Sequence, residues 1–437
     1  MAAHVINEAR RCLQCKKPLC RIKGCPIQTD IPEMIRLFLA GKTEEAGRML
    51  FENNPLSVIC SLVCDHENQC EGNCIQGKRK EGAAVQIPTI ENYISDFYFD
   101  QIKLDCAPDT GQRVAIIGSG PAGITIAIKL AALGYRITMF ERMDKVGGMM
   151  RYGIPAFRLP RKILDRYQTK LRQIGIHFRP NTSIGGALHL DDLFNDGYDA
   201  IFIGTGVWRP RRPHVKGESL GNVHYAIDYL QNPDAYDLGD RVAIIGAGNS
   251  AIDVARTVVR QGSRHVTLYA RRHRIAASRR ELDYAAVDGI ELQQGMSITE
   301  FTEEGPIFTP RIYDEEGNLI REEEPVLMPA DSTIIAISQG PKDKIVSTTH
   351  NLTVDKNGLI VVDENGRTTR DGVFASGDVV AGAKNVVLAV KYSKSVAQAM
   401  DEYLKAKRNP KADTEVKAVD ENKPTEEVKS VDEVKTE

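Results

Sequence analysis

Eight of the nine cysteines stand before residue 75, and their spacing is the first sign of chemistry. Cys12, Cys15, Cys20 and Cys25 read C-x2-C-x4-C-x4-C-P, and Cys60, Cys64, Cys70 and Cys74 read C-x3-C-x5-C-x3-C. Crosslinks, zinc and electron-carrying clusters all use cysteine. A structural zinc site prefers two C-x2-C knuckles across a spacer, and this sequence has one. A quartet in one short run that ends in Cys-Pro resembles iron–sulfur ligation. Arg10, Arg11, Lys16, Lys17, Arg21 and Lys23 crowd the first run. Cations stabilise a thiolate-wrapped cluster, although such residues are equally at home on a solvated face. Two [4Fe–4S] clusters are the expectation, with zinc, disulfides or free thiols as alternatives.

Two glycine turns follow. "RVAIIGSGPAGITIAIKLAALGYRITMFER" reads as strand, turn, helix and strand, with Gly118, Gly120 and Gly123 in the G-x-G-x-x-G positions. The first glycine allows the turn, the second lets backbone approach a pyrophosphate, and the third lets helix and strand pack closely. Glu141 ends the second strand, where an acid binds a ribose hydroxyl pair. "RVAIIGAGNSAIDVARTVVRQGSRHVTLYARRHR" repeats the unit with Gly246, Gly248 and Ala251, Asn249 opening its helix. Here Ala270 replaces the acid, and Arg271 and Arg272 follow. That exchange suits a 2′-phosphate and therefore NADPH; the bland alternative is that Arg271, Arg272 and Arg274 decorate a solvated loop. Two such folds in one chain point to a flavoprotein that takes hydride from a nicotinamide. Asp378, after the strand in "DGVFASGDVV", is placed to bond a flavin ribityl hydroxyl, with a following helix N-terminus near the flavin.

The elements that must position these residues are legible more coarsely. A chain of 437 residues predicts roughly two to four domains. A formal net charge of −2, with 42% hydrophobic and 27% charged residues, gives no field aimed at nucleic acid or membrane. No apolar run approaches the ~18 residues of a membrane span, and "MAAHVINEAR" has no signal-peptide core. A cytoplasmic location is expected, where thiols stay reduced. Ile31, Ile35, Phe38 and Leu39 predict one helical face before a stop at Gly41, then a helix to Asn53. Such a helical domain has too little core to fold well without metal. The lysine- and glutamate-rich tail lacks aromatics and is expected to be disordered.

The stretches "EARRCLQCKKPLC", "GCPIQTDIPEMI", "NNPLSVICSLVC", "CEGNC", "VGGMMRYGIPAFRLP" and "VFASGDVVAG" resemble glutamate synthase small subunits and their relatives, over roughly residues 8–404. Those relatives include the flavin/NADPH portion of dihydropyrimidine dehydrogenase and the large subunit of NADH-dependent ferredoxin:NADP oxidoreductase. The resemblance implies an α/β protein with a helical iron–sulfur domain before two Rossmann-like domains, the second inserted in the first. The boundaries expected are 1–110 for two [4Fe–4S] clusters, 111–237 and 335–404 for FAD, 238–334 for NADPH, and 405–437 for the tail. Gly148, in the glycine pair of "VGGMM", joins the FAD contacts. The resemblance also implies that ligands interleave: Cys12, Cys15, Cys20 and Cys74 for one cluster, and Cys25, Cys64, Cys70 and Glu91 for the other. The related enzyme has glutamine where Glu91 stands, and Cys60 is left spare. Composition alone would have counted Cys60 as a ligand.

After Cys74 only Cys106 remains, which excludes a dithiol beside the flavin. No barrel that would hold FMN and an organic substrate is visible. The implied function is an electron-transfer subunit. NADPH reduces FAD, and the clusters relay single electrons to a larger catalytic partner carrying FMN or the substrate site, or to a ferredoxin. In glutamate synthase the partner makes glutamate from glutamine and 2-oxoglutarate; in the pyrimidine enzyme it reduces uracil and thymine. A reading of another class is a non-catalytic, zinc-stapled nucleotide sensor. No catalytic side chain is singled out.

Overall fold

The computed structural model describes residues 2–79, 82–273 and 275–409. Most of the tail expected to be disordered, from residue 410 onward, lies outside these residues, as does Arg274. No helix among the described residues is long and apolar enough to cross a membrane.

The N-terminal quarter is helical: Ala2–Arg10, Ile31–Leu39, Thr43–Asn53, Ser57–Val63 and Ile87–Phe99. The helix Ile31–Leu39 starts because Asp30 accepts a bond from the Glu33 N–H and Pro32 needs no donor partner in the first turn. It stops before Gly41, which turns the chain at φ +76°. Ile31, Met34, Ile35 and Phe38 form the buried face, whereas Leu39, expected on it, is 41% exposed. At about 100° per residue Leu39 lies about 80° round from Ile31, and Met34 takes the inner position instead. The core they build also holds Leu50, Ile90 and Ile94, with Cys70 and Cys74 inside it and Cys12, Cys20 and Cys25 against it. The thiols therefore complete a core that the helices alone leave thin.

Two five-stranded parallel sheets follow. The first runs His177–Arg179, Arg136–Phe140, Arg113–Ile117, Ala200–Ile203, Val373–Ala375 from edge to edge. The second runs Val223–Tyr225, Ser332–Ile335, Arg241–Ile245, His265–Ala270, Glu291–Gln294. Each places its glycine turn after a central strand flanked by the next strand of the chain on one side and a later strand on the other, so the strand order reverses there. That is the switch point where α/β sheets bind ligands. Val373–Ala375 returns to the first sheet after the second is complete, so the second unit is inserted in the first. The chain crosses between them twice, and the crossings pair as an antiparallel ribbon, Arg209–Pro210 with Gln339–Gly340.

Two boundaries move. Val223–Tyr225 pairs with Thr333–Ile335, so the inserted unit begins before the expected residue 238. Three residues are too few to show a period in sequence. The unit also carries an unforeseen antiparallel meander, Met296–Thr302, Gly305–Tyr313, Leu319–Glu322 and Val326–Leu327. The final helix, Val386–Arg408, passes the expected end at 404.

A buried ion network joins the two sheet units. Arg158 meets Asp253 at 2.7 Å and Glu281 at 3.2 Å, and Arg256 meets Glu281 at 3.3 Å and Asp288 at 2.9 Å. Burial pushes Asp253 up to about 6 even though Arg158 opposes it. Desolvation of this pair is costly, and removing one partner costs more than the pair gains. Arg158→Ala is expected to destabilise the inserted unit by about 3–5 kcal/mol, read as a lower urea midpoint. A change under about 1 kcal/mol would show that water already solvates Asp253.

Candidate cofactor sites along the chain

In the first unit, Gly118 has φ +100°, and a Cβ there would lie 2.6 Å from the Gly204 carbonyl oxygen. A Cβ on Gly123 would lie 2.0 Å from the Gly118 carbonyl oxygen. Both positions therefore need glycine for close chain approach. Gly120 differs: nothing lies within 4 Å of its missing Cβ. Open space there, at the N-terminus of the helix Pro121–Ala132, leaves a cradle for a pyrophosphate. Gly148, at φ +50°, sits with its missing Cβ 2.9 Å from the Gly120 Cα and closes the cradle's side.

Glu141 is buried and already engaged. Its Oε2 accepts from the Ser119 N–H at 2.9 Å and the Ser119 hydroxyl at 2.7 Å, and its Oε1 accepts from the Met143 N–H at 2.9 Å. It thus braces the glycine turn, with lone-pair capacity left for one more donor. Asp378 begins the turn Asp378–Ala381 and accepts from the Lys384 N–H at 3.2 Å. Burial pushes its carboxyl up to about 6. The missing Cβ of the preceding Gly377 lies 3.0 Å from the Ala122 Cβ, so Asp378 stands beside the Gly118–Gly123 turn.

The second unit repeats the geometry. Gly246 has φ +136°, and its Cβ would lie 2.5 Å from the Ala336 carbonyl oxygen, the counterpart of Gly204. Gly248, like Gly120, faces open space. Ala251 is fully buried where Gly123 stands in the first unit. Asn249 opens the helix Asn249–Arg260 and accepts from the Ser278 N–H at 3.0 Å. Strand register makes Glu141 and Ala270 equivalents, because each follows a residue paired to the end of the central strand, Phe140 to Ile117 and Tyr269 to Ile245. Ala270 is buried, and Arg271 and Arg272 are exposed with no ion pair among the described residues. Only the Arg271 carbonyl is held, by the Tyr313 hydroxyl at 3.2 Å.

The cysteines gather into two groups drawn from both runs. Cys12, Cys15, Cys20 and Cys74 line one cavity, walled mostly by apolar side chains such as Leu19, Ile31, Ile35 and Val85, with Gln76 the polar exception. Burial raises the Cys12 and Cys20 thiols, Cys20 to about 12, and the charges of their neighbours add to this. Without a cation to receive them, such thiols stay protonated. Cys25, Cys64, Cys70 and Glu91, the expected second set, lie near one another, and Cys60 lies with them, hydrogen-bonded to Cys64. Burial raises Cys25 and Cys70, and the Glu91 carboxylate adds to both. Cys64 is raised first by its hydrogen bond with Cys60, then by burial. Burial pushes Glu91 itself up to about 8. Cys60 is buried next to Cys64, in the core shared with the first sheet unit. Among the described residues no three or more His, Cys, Asp or Glu groups are gathered tightly enough to hold a metal ion. A cavity lined by four thiols within an apolar wall is the kind of shell a thiolate-ligated cluster occupies.

Three residues that touch this region were not singled out from sequence. The Thr29 N–H and hydroxyl lie 3.4 and 3.3 Å from the Cys25 sulfur. His66 sets Nδ1 3.4 Å from the Cys70 sulfur and Nε2 3.2 Å from the Ser61 carbonyl oxygen. Lys394 reaches the same neighbourhood from the last helix. Thr29 and His66 each stand four residues from their cysteine, a spacing the sequence does show, whereas only the tertiary fold brings Lys394 there.

Comparison with known proteins gives the family. The family model for pyridine nucleotide-disulphide oxidoreductases matches residues 112–402. The model for dihydropyrimidine dehydrogenase domain II, 4Fe-4S cluster, matches residues 1–102. The glutamate synthase [NADPH] small chain of Azospirillum brasilense is 32% identical, over 92% of this chain and 89% of that one. The NAD-dependent dihydropyrimidine dehydrogenase subunit PreT of Salmonella typhimurium is 32% identical, over 91% of this chain and 94% of that one. Mycobacterium tuberculosis FprA in complex with NADPH shares the fold at TM-score 0.57 and 18% identity, over 70% of this chain and 86% of that one. The chain is an oxidoreductase that belongs to the pyridine nucleotide-disulphide oxidoreductases and, within them, to the group with an N-terminal 4Fe–4S domain that includes glutamate synthase small chains and PreT subunits.

Proposed function

We propose that this chain is the electron-input subunit of a two-subunit enzyme, most closely a glutamate synthase. The observation that carries the reading is the assembly of thiols from both cysteine runs, Cys12, Cys20, Cys70 and Cys74 at the helical domain's own core and Cys25 and Cys64 against the core of the first glycine-turn unit. Gly118, Gly120, Gly123, Glu141, Gly148 and Asp378 would hold FAD; Gly246, Gly248, Asn249, Ala251, Arg271 and Arg272 would hold NADPH. Cys12, Cys15, Cys20 and Cys74 would hold one [4Fe–4S] cluster, and Cys25, Cys64, Cys70 and Glu91 the other. A bound FAD would supply hydride acceptance from NADPH and release of single electrons, and clusters held by these thiols would supply the route to a larger subunit. The chain's own part is to seat the pyrophosphates on backbone N–H groups, brace the flavin turn through Glu141, and keep the clusters in a largely apolar shell. A cytoplasmic location belongs to this reading, because the free thiols need reducing surroundings.

One observation favours glutamate synthase over the PreT alternative, whose name specifies NAD. Ala270, Arg271 and Arg272 stand where an NAD site would carry an acid. The partner side is marked as well. Lys16, Lys17 and Lys23 are exposed beside Leu13 and Ile22, on the segment that carries the first cysteine run. A basic and apolar rim over a redox centre suits an acidic face on the larger subunit or a ferredoxin.

Protein purified without oxygen is expected to be brown, with flavin peaks over a broad shoulder, and to release about one FAD per chain on heating. Release of FMN, or of no flavin, would sink the flavin assignment. A colourless, zinc-bearing protein would favour the nucleotide-sensor reading instead.

A further inference from the structure

We infer that Lys394 tunes the reduction potential of the cluster held by Cys25, acting through Asn53 and Thr29. The inference rests on the proposed reading of Cys25 as a cluster ligand. Lys394 lies on the helix Val386–Arg408, which belongs to the flavin unit. Its Nζ donates to the Asn53 Oδ1 at 2.6 Å. Asn53 ends the helix Thr43–Asn53 of the cysteine domain. The Asn53 Nδ2 donates to the Thr29 Oγ1 at 3.1 Å. Thr29, almost fully buried, faces the Cys25 sulfur with both its hydroxyl and its N–H.

The direction of this chain follows from what each group can do. An ammonium only donates, so the Asn53 oxygen must face Lys394. The Asn53 amide nitrogen must then face Thr29, whose oxygen accepts. Against a Cys25 thiolate, which has no proton to give, the Thr29 hydroxyl turns its proton to the sulfur. Every donor therefore points from the lysine toward the cluster. A second lysine nearby does not share the role, because Lys129 caps the Glu52 carbonyl instead.

Adding an electron makes a cluster more negative. Hydrogen bonds to its sulfurs and a cation at the end of the chain favour the reduced form and raise the potential. The same helix locks Ser393 to Ser376, Oγ to Oγ at 2.6 Å, two residues before Asp378. The flavin side and the Cys25 side are thus set by one rigid element. A raised potential at this site makes it the better acceptor for electrons leaving the flavin.

The test is potentiometric titration of the full chain, followed by electron paramagnetic resonance, for Lys394→Met, Lys394→Arg and Asn53→Leu. Lys394→Met is expected to lower the potential of one cluster only, shifting its equilibrium with flavin about tenfold toward flavin, or about 59 mV for one electron. Lys394→Arg should restore most of that shift, and Asn53→Leu should reproduce it. Iron content and the other cluster's potential should stay at wild-type values. Unmoved potentials in Lys394→Met and Asn53→Leu, with iron retained, would overturn the inference. Loss of iron in both variants would overturn it too, since the chain would then be a structural staple. Absence of any cluster signal in the wild-type protein would instead overturn the proposed function.

Discussion

Serine in place of Cys25 or Cys70 should erase one cluster signal, and serine in place of Cys15 should erase the other. That result is expected because the fold, and not the order of cysteines in the chain, decides which thiols share a cavity. Cys74 ends the second run yet lines the cavity of Cys12, Cys15 and Cys20. Cys25 ends the first run yet shares the charge of Glu91 with Cys64 and Cys70. Each loss should remove about four of about eight irons per chain. It should also lower the stability of the helical domain, since Cys70 and Cys74 lie within its core. Cys60→Ser tests the remaining choice. Cys60 is buried against Cys64, so a serine hydroxyl there costs some packing but should leave both signals. Glu91→Ala should weaken the Cys25 cluster. Survival of both clusters in Glu91→Ala, with loss of one in Cys60→Ser, would establish an all-cysteine site.

The parts of this fold that sequence reveals are those with a local cause. A glycine turn between an apolar strand and an apolar helix can be recognised because each glycine answers a nearby steric demand. Gly118 meets Gly204, and Gly246 meets Ala336, at matching places. The insertion is legible because the strand–turn–helix unit occurs twice before the strand at Val373 returns. Elements whose cause is distant are not legible. Val223–Tyr225 becomes a strand only because Ser332–Ile335 lies beside it. The interleaving of the cysteines came from resemblance, since neither spacing predicts that Cys74 crosses to the first run. The same holds for Thr29, Asn53 and Lys394, which are separated in sequence and joined only by packing. Glu141 was expected to face a ribose, and its bonds to Ser119 show a second task for the same carboxylate.

Replacing Arg271 and Arg272 together by glutamine is expected to weaken NADPH about 100-fold and NADH by less than about threefold. The two arginines follow Ala270 at the end of the strand His265–Ala270, beside the open turn at Gly248. A dinucleotide seated with its pyrophosphate on that turn extends its adenosine ribose toward this strand end. In the first unit the equivalent place holds the Glu141 carboxylate, which would repel a 2′-phosphate. In the second unit it holds a buried methyl group and two exposed guanidinium groups. A hydrogen bond to a charged group contributes about 1.5–3 kcal/mol. Solvent exposure reduces what two such bonds give, and about 2.8 kcal/mol in all corresponds to the 100-fold loss at 1.4 kcal/mol per tenfold. NADH lacks the phosphate and loses none of this. Salt provides an independent reading, because a Debye length of about 8 Å at physiological ionic strength screens exposed pairs. In wild-type protein the KM for NADPH should rise with salt while that for NADH stays nearly constant, and the double variant should lose that difference. Equal losses for the two cofactors would show that the arginines do not read the 2′-phosphate, and the NAD-dependent PreT reading would then become the stronger one.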